Sequence, residues 1–250
     1  MGDPNTVGKA FLEAYYAALD KNASNAGNFY QAASTLSFEG KTVNGQQAIT
    51  QEFAGLGLPP NAQRRITATD AQNSCCGNGA LLIFCTGEWM GHQYQEVFQL
   101  VPTGGSYYIH NCICRIGINT SNSFNVPAEA VELTKGFVQH YYSQYDGGLD
   151  SRAQLQSLYT NTSVVSIEGT TYTGTQNIME KFKEMPIVQN DPNMLVDVHC
   201  VNGLDIVLIF LAGQLSIDGQ NPMKFAQTFL IQKSGGSYII GNQTFRLNYG

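Results

Sequence analysis

A short block, Ser37-Phe38-Glu39-Gly40 followed by Gly45, Ile49 and Phe53, returns later in the chain as Ser166-Ile167-Glu168-Gly169 followed by Gly174, Ile178 and Phe182. The spacing from Glu to Gly to Ile to Phe is identical in the two copies. Further along, Phe98, Asn111 and Arg115 recur as Phe229, Asn242 and Arg246, all at one offset. A repeat this long is far beyond the unit of a solenoid and matches one ordinary domain. The chain therefore reads as a duplication: a first domain at 1–118, a linker at 119–128 and a second domain at 129–250.

Each half runs in the same order. Val7, Phe11, Ala14, Tyr15 and Ala18 fall at helical spacing and predict an amphipathic first helix ending near Asp20. Asn22 to Asn28 reads as a polar loop and Phe29 to Ala33 as a short helix. Thr35–Phe38 and Lys41–Val43 read as a hairpin, and Gln46–Phe53 as a short helix with Ile49 and Phe53 on one face. Strands are predicted at 65–71, 80–87, 93–101 and 107–116. The apolar run at 80–87 is expected to be a buried central strand. Thr103-Gly104-Gly105-Ser106 carries the Gly-Gly pair of a tight hairpin, repeated at Ser234-Gly235-Gly236-Ser237. The second half predicts helices around Val131–Tyr145, Leu155–Tyr159 and Ile178–Phe182, then strands at 195–201, 205–214, 224–232 and 237–246. Helices early and antiparallel strands late make each half an α+β domain. Such an order suggests a curved sheet wrapped around its helices, enclosing a concave apolar cavity.

Composition excludes several functions. The hydrophobic fraction of 43% supports two packed cores, and only 13% of residues are charged. The net charge is -6 and no basic cluster exceeds Arg64-Arg65, so direct nucleic-acid binding is not expected. No apolar run approaches membrane-spanning length, so no membrane insertion is expected. Met1-Gly2-Asp3-Pro4 lacks the basic and apolar regions of a signal peptide, which points to a reducing, intracellular setting. Five of the six cysteines lie in the first half, so the two domains share no disulfide framework. Cys112 and Cys114 sit on one face of a strand and are expected to be buried free thiols rather than metal ligands.

The blocks Phe137-Val138-Gln139-His140-Tyr141-Tyr142, Ile167-Glu168-Gly169, Gly213-Gln214-Leu215, Met223–Phe229 and Phe245-Arg246-Leu247 occur together and in order. With them the second half strongly resembles the nuclear transport factor 2 family. The first half resembles it more distantly, through Phe38-Glu39-Gly40 and Ile66-Thr67-Ala68-Thr69-Asp70. The resemblance implies two cone-shaped nuclear transport factor 2-like domains, each with helices packed on a curved antiparallel sheet. Because the family dimerises through its sheet, it also implies that the two halves form an intramolecular pseudo-dimer. The family carries the small GTPase Ran in its GDP form into the nucleus and binds Phe-Gly repeats of nucleoporins. It is not an enzyme and needs no cofactor. The implied setting is the nucleus, the nuclear pore and the cytoplasm.

The resemblance carries over to particular residues. The family's Ran-binding Glu corresponds to Glu39 and Glu168. The aromatic before it, a Trp in the family, is Phe38 or Ile167 here. The family's acidic loop survives as Asp218, whereas the first half has Trp89-Met90-Gly91-His92 there. Its cavity-lining Phe is Phe245, and Cys114 in the first half. Met185 and Met223 fall at two further apolar cavity positions. The second half thus keeps more of the implied pocket. The family's N-terminal Trp, associated with nucleoporin contact, is absent: Pro4 and Ala130 stand in its place. Two other readings stand beside this one. An export-factor-like or scaffold module without Ran binding would engage another protein through the sheet or through Trp89, read either as an exposed anchor or as packing at the sheet rim. A small-molecule enzyme would need an acid converging with a Tyr or His in the cavity; Asp197 and His199 share a strand face but no nucleophile motif accompanies them.

Overall fold

The structure is a computed structural model that describes residues 2–59, 62–116, 126–217 and 219–248. The chain divides into two compact units, residues 1–123 and 124–250. The expected linker falls largely outside the described residues. Among the described residues, no helix is long and apolar enough to cross a membrane.

The first unit opens with helix α1 (Pro4–Lys21), whose N-cap Asp3 accepts the Thr6 N–H at 2.9 Å. Phe11, Leu12, Tyr15, Tyr16 and Leu19 form its buried face. Next come a 3-10 turn (Ala23–Phe29), strands β1 (Tyr30–Phe38) and β2 (Lys41–Asn44), helix α2 (Gln46–Gly55), and strands β3 (Arg64–Asn73), β4 (Leu81–Trp89), β5 (His92–Thr103) and β6 (Ser106–Ile116). The strands make one mixed sheet, ordered β2-β1-β6-β5-β4-β3. The apolar strand β4 is an inner strand, buried along most of its length, as its composition requires. The helix expected at Phe29–Ala33 is instead the start of β1, and the polar loop before it is the 3-10 turn. Asn22 explains the difference, because its side chain caps that turn by accepting the Ser24 N–H at 3.1 Å.

The second unit repeats the plan: α3 (Ala128–Tyr145), α4 (Leu149–Arg152), a 3-10 turn (Ala153–Leu158), β7 (Val164–Ile167), β8 (Thr170–Thr173), α5 (Thr175–Glu184), β9 (Val188–Asn190), β10 (Leu195–Asn202), β11 (Ile206–Ile217), β12 (Met223–Ser234) and β13 (Ser237–Asn248). Its sheet runs β10-β11-β12-β13-β7-β8, with the short β9 added to the end of β11. The helix expected at Leu155–Tyr159 is the 3-10 turn, and β9 was not foreseen because three residues carry too little alternation to read.

Both sheets contain one parallel pairing. β1 lies parallel to β6 and β7 parallel to β13, with Phe38 opposite Cys114 and Ile167 opposite Phe245. The core lies between the first helix of each unit and the inner sheet face. In the second unit the Phe229 ring meets Tyr141 at 4.8 Å and Phe137 at 5.2 Å, both edge-on. Phe11, Tyr15 and Phe98 pack in the same manner in the first.

Phe229 is fully buried among these rings. Phe229→Ala is expected to destabilise the second unit by about 3–5 kcal/mol, read as a lowered urea midpoint of the full chain. Leu149→Ala, at a half-exposed position, should change it by less than about 0.5 kcal/mol.

Candidate functional site

The hairpins that carry the repeated Glu turn in two residues, Glu39-Gly40 and Glu168-Gly169. All four residues have positive φ: 49° and 81° in the first, 49° and 84° in the second. Such a turn favours Asn or Gly at its first position, so Glu sits there against local preference. Its side chain offsets that. The backbone N–H of Glu168 donates to Phe245 O at 3.1 Å, continuing the parallel ladder. The carboxylate Oε1 then accepts the Leu247 N–H at 2.5 Å, where the chain itself has turned away. In the first unit Glu39 does the same, donating its N–H to Cys114 O at 3.0 Å and accepting the Ile116 N–H. Gly169 takes the left-handed φ of the second turn position, and a Cβ there would lie 2.8 Å from the end of the Arg246 side chain, which would have to move aside.

In the second unit this carboxylate stands at the mouth of a cavity of about 300 Å³. Ile167, Met185, Leu215, Phe245 and Leu247 supply its apolar wall. The floor is polar. Tyr142 donates to Gln227 Oε1 at 2.6 Å, Tyr159 donates to Gln243 Oε1 at 2.5 Å, and Gln243 in turn donates to the Tyr141 hydroxyl at 3.0 Å. Burial pushes the Tyr141, Tyr142 and Tyr159 hydroxyls up, so these remain neutral partners. Lys181 joins Glu168 at the lining, its ammonium 5.9 Å from the Tyr172 ring. Glu168 is exposed, and with one oxygen engaged its carboxylate keeps acceptor capacity for a cation or donor arriving at the mouth.

Arg152 shapes the rim, a role that nothing in the sequence pattern signalled. It is 2% exposed, and its guanidinium donates to the carbonyls of Tyr145, Phe182, Met185 and Pro186 at 3.0–3.1 Å. It also stacks on Tyr145, 4.2 Å from the ring centroid. One cation thereby ties the C-terminal ends of α3 and α5 to the segment that presents Met185 and Pro186.

Four of the expected residues converge here and two at its counterpart. Ile167, Glu168, Met185 and Phe245 line the second cavity together. Met223 does not: it begins β12 opposite the lining residue Leu215 and packs against the core without being part of the lining. Asp218 lies outside the described residues. Asp197 and His199 are buried on β10 and line no part of the cavity. Glu39 repeats the corner of Glu168, and Phe38 repeats the wall position of Ile167.

The interior behind Glu39 is filled differently. Register pairs Arg64 with Trp89 in the first unit where it pairs Asn190 with Leu215 in the second. The backbone N–H of Arg64 donates to the Asp20 carboxylate, as that of Asn190 does to Asp146. Trp89 is 2% exposed and its indole N–H donates to Ala62 O at 2.9 Å, so the exposed-anchor reading of this residue is wrong. The Arg64 guanidinium lies 3.8 Å from the Trp89 ring centroid and 2.9 Å from Asp20 Oδ1. Phe38 meets Trp89 edge-on at 6.5 Å. Where the second unit has Gln227 and Gln243, the first has Glu96 and Cys112: Tyr16 donates to Glu96 at 2.7 Å and the Cys112 thiol donates at 3.2 Å. Burial pushes the Glu96 carboxyl up, against the pull of Arg64. Cys112 and Cys114 are buried free thiols, as expected.

Arg152→Met is expected to leave four carbonyls without their donor and to destabilise the second unit by about 3 kcal/mol or more, seen in a urea melt. Glu96 bears on pH. Its folded-state pKa is raised, so its stability contribution is complete below the unfolded carboxylate value and is lost as pH rises through the folded value. Glu96→Gln, which copies Gln227, is expected to remove this dependence. The stability difference between wild type and variant should then shift toward wild type on acidification, and a pH-independent difference would contradict the assignment.

Comparison with known proteins fits this geometry. The profile of the nuclear transport factor 2 (NTF2) domain matches residues 7–116 and again residues 133–247. Nuclear transport factor 2 of Saccharomyces cerevisiae is 38% identical over 120 residues, covering 47% of this chain and 93% of that protein. The Oryza sativa protein of the same name is 34% identical over 125 residues, covering 49% and 99%. The solved structure of nuclear transport factor 2 from Cryptosporidium parvum aligns with 50% of this chain and 100% of its own, at 33% identity and a TM-score of 0.44. Matched twice along its length, the chain belongs to the nuclear transport factor 2 domain family as a tandem duplication of that domain.

Proposed function

We propose that this protein is a nucleocytoplasmic carrier that binds Ran in its GDP form through the cavity of its second half. The observation that carries the reading is the pairing of an apolar-walled cavity of about 300 Å³ with the Glu168 carboxylate fixed at its mouth. Such a site suits an apolar side chain flanked by a cation: the side chain enters, and the Lys or Arg pairs with Glu168. Ile167, Met185 and Phe245 form the wall in this reading. Asp218 and Met223 enter the proposal through the family resemblance alone, Met223 as the cross-strand neighbour of Leu215. The relatives named nuclear transport factor 2 support the transport class. The acid among the described lining residues is Glu168, bonded to the Leu247 backbone rather than facing a Tyr or His, which favours a binding role over catalysis.

The first half contributes no second Ran site in this proposal, because Trp89 and Arg64 occupy the space that a guest would need. Glu39 and Phe38 then act as framework. Binding of Phe-Gly nucleoporin repeats belongs to the same proposal, as does a distribution over nucleus, nuclear pore and cytoplasm.

Calorimetric titration tests it. Ran loaded with GDP is expected to bind one to one, and Ran loaded with GTP not to bind. Glu168→Lys should weaken binding by about 2–5 kcal/mol, and Glu168→Gln, whose amide oxygen can still accept the Leu247 N–H but carries no charge, should weaken it in the same direction with the fold retained. Two Ran per chain, or normal binding by Glu168→Lys, would contradict the proposal. Binding to neither nucleotide form would favour the scaffold alternative.

A further inference from the structure

The turn between β3 and β4 carries two adjacent cysteines that the transport reading leaves unused. It is closed by three backbone bonds, Ser74 N–H to Ala80 O, Gly77 N–H to Ser74 O and Ala80 N–H to Gly77 O, at 2.9–3.1 Å. Neither Cys75 nor Cys76 is in a disulfide, and both are partly exposed there. The surroundings of Cys76 are built from donors. The Gln99 amide donates to Cys76 Sγ at 2.8 Å. Gln99 is 1% exposed, and Asn111 donates to its Oε1 at 2.8 Å, which fixes the amide with its NH2 toward the sulfur. The Ser74 Oγ accepts the Cys76 backbone N–H at 3.3 Å, which holds the turn at this point. Such a cluster suits a thiolate better than a thiol, since a thiol is a weak acceptor.

We propose that Cys75 and Cys76 form a reactive dithiol whose substrate class is the hydroperoxides, with Cys76 as attacking nucleophile and Cys75 as resolving thiol. The Cys76 thiolate attacks the terminal oxygen of the hydroperoxide. The O–O bond breaks, an alcohol or water leaves after taking a proton, and Cys76 becomes a sulfenic acid. Cys75 then loses its proton and attacks the Cys76 sulfur, expelling hydroxide that leaves as water. Two thiols are oxidised to one disulfide, and one hydroperoxide is reduced. The ionisation behaviour agrees. The hydrogen bond from Cys75 is the largest influence that brings Cys76 down to about 7, with Ser74 and Gln99 adding to it against burial. The same bond pushes Cys75 up, so it keeps its proton until Cys76 has reacted. Neighbouring Cα atoms lie only about 3.8 Å apart. That is short for a disulfide, so the bridge is strained and readily reduced, as a reversible site requires.

The test uses the full chain. At neutral pH iodoacetamide should alkylate Cys76 roughly fivefold to tenfold faster than Cys200, whose pKa is raised, with a rate midpoint near pH 7. Treatment with hydrogen peroxide should remove two hydrogens, map to a Cys75–Cys76 disulfide, and be reversed by dithiothreitol. Cys75→Ser should stop at a sulfenic acid that dimedone traps. Gln99→Leu should move the alkylation midpoint upward while Cys76 remains in place. Equal alkylation of Cys76 and Cys200, or peroxide oxidation without a Cys75–Cys76 link, would overturn the proposal.

Discussion

Each half of this protein depends on one hydrogen bond, from the backbone N–H of its last strand to the carboxylate of a Glu held at positive φ. The bond extends a parallel ladder by one step after the chain has reversed direction. It locks the corner of the β1–β2 or β7–β8 hairpin against β6 or β13, and so fixes where the helix that follows the hairpin begins. Gly45 and Gly174, with φ of 83° in both units, start α2 and α5 in the same manner. In the second half this corner stands at the cavity, with Glu168 among its lining residues.

The two halves show how little must change to close such an interior. The frame is the same down to the register of Phe38 with Cys114 and of Ile167 with Phe245. At the position of Leu215 the first half has Trp89, and at that of Asn190 it has Arg64. The larger pair stacks within the space and is neutralised by Asp20. A buried guanidinium beside a buried Glu96 needs these partners, since an unpaired buried charge is strongly unfavourable. The second half keeps amides at Gln227 and Gln243, satisfied by tyrosine hydroxyls, and leaves the volume above them empty. The two interiors therefore differ in electrostatics as well as in size: one is a titratable cluster and the other a neutral polar floor under an apolar wall.

Much of this was legible in the sequence. The Glu-Gly-Ile-Phe spacing exposed the duplication, the Gly-Gly pairs placed hairpins, and the apolar run before Trp89 predicted an inner strand. These signals are local, and local chemistry suffices to read them. What was not legible depended on contacts distant in sequence. Trp89 could be resolved as a plug only through its partner Arg64, which the sequence offered only as half of the Arg64-Arg65 pair. Arg152 carried no local signal, because it acts on carbonyls more than thirty residues away. Phe29–Ala33 was misread because Asn22 caps the preceding turn and lets the strand begin at Tyr30.

The central claim is that one shared frame carries one open cavity and one closed interior, with the open one as the proposed seat of Ran. Methionine methyl groups report on both: Met185 lines the open cavity, and Met90 is exposed in the β4–β5 turn of the first half. Carbon-13 methyl spectra of the full chain, recorded while Ran-GDP is added, test the claim most directly. The account predicts that Met185 shifts or broadens while Met90 stays in place. Perturbation of Met90 with Met185 unchanged would contradict it.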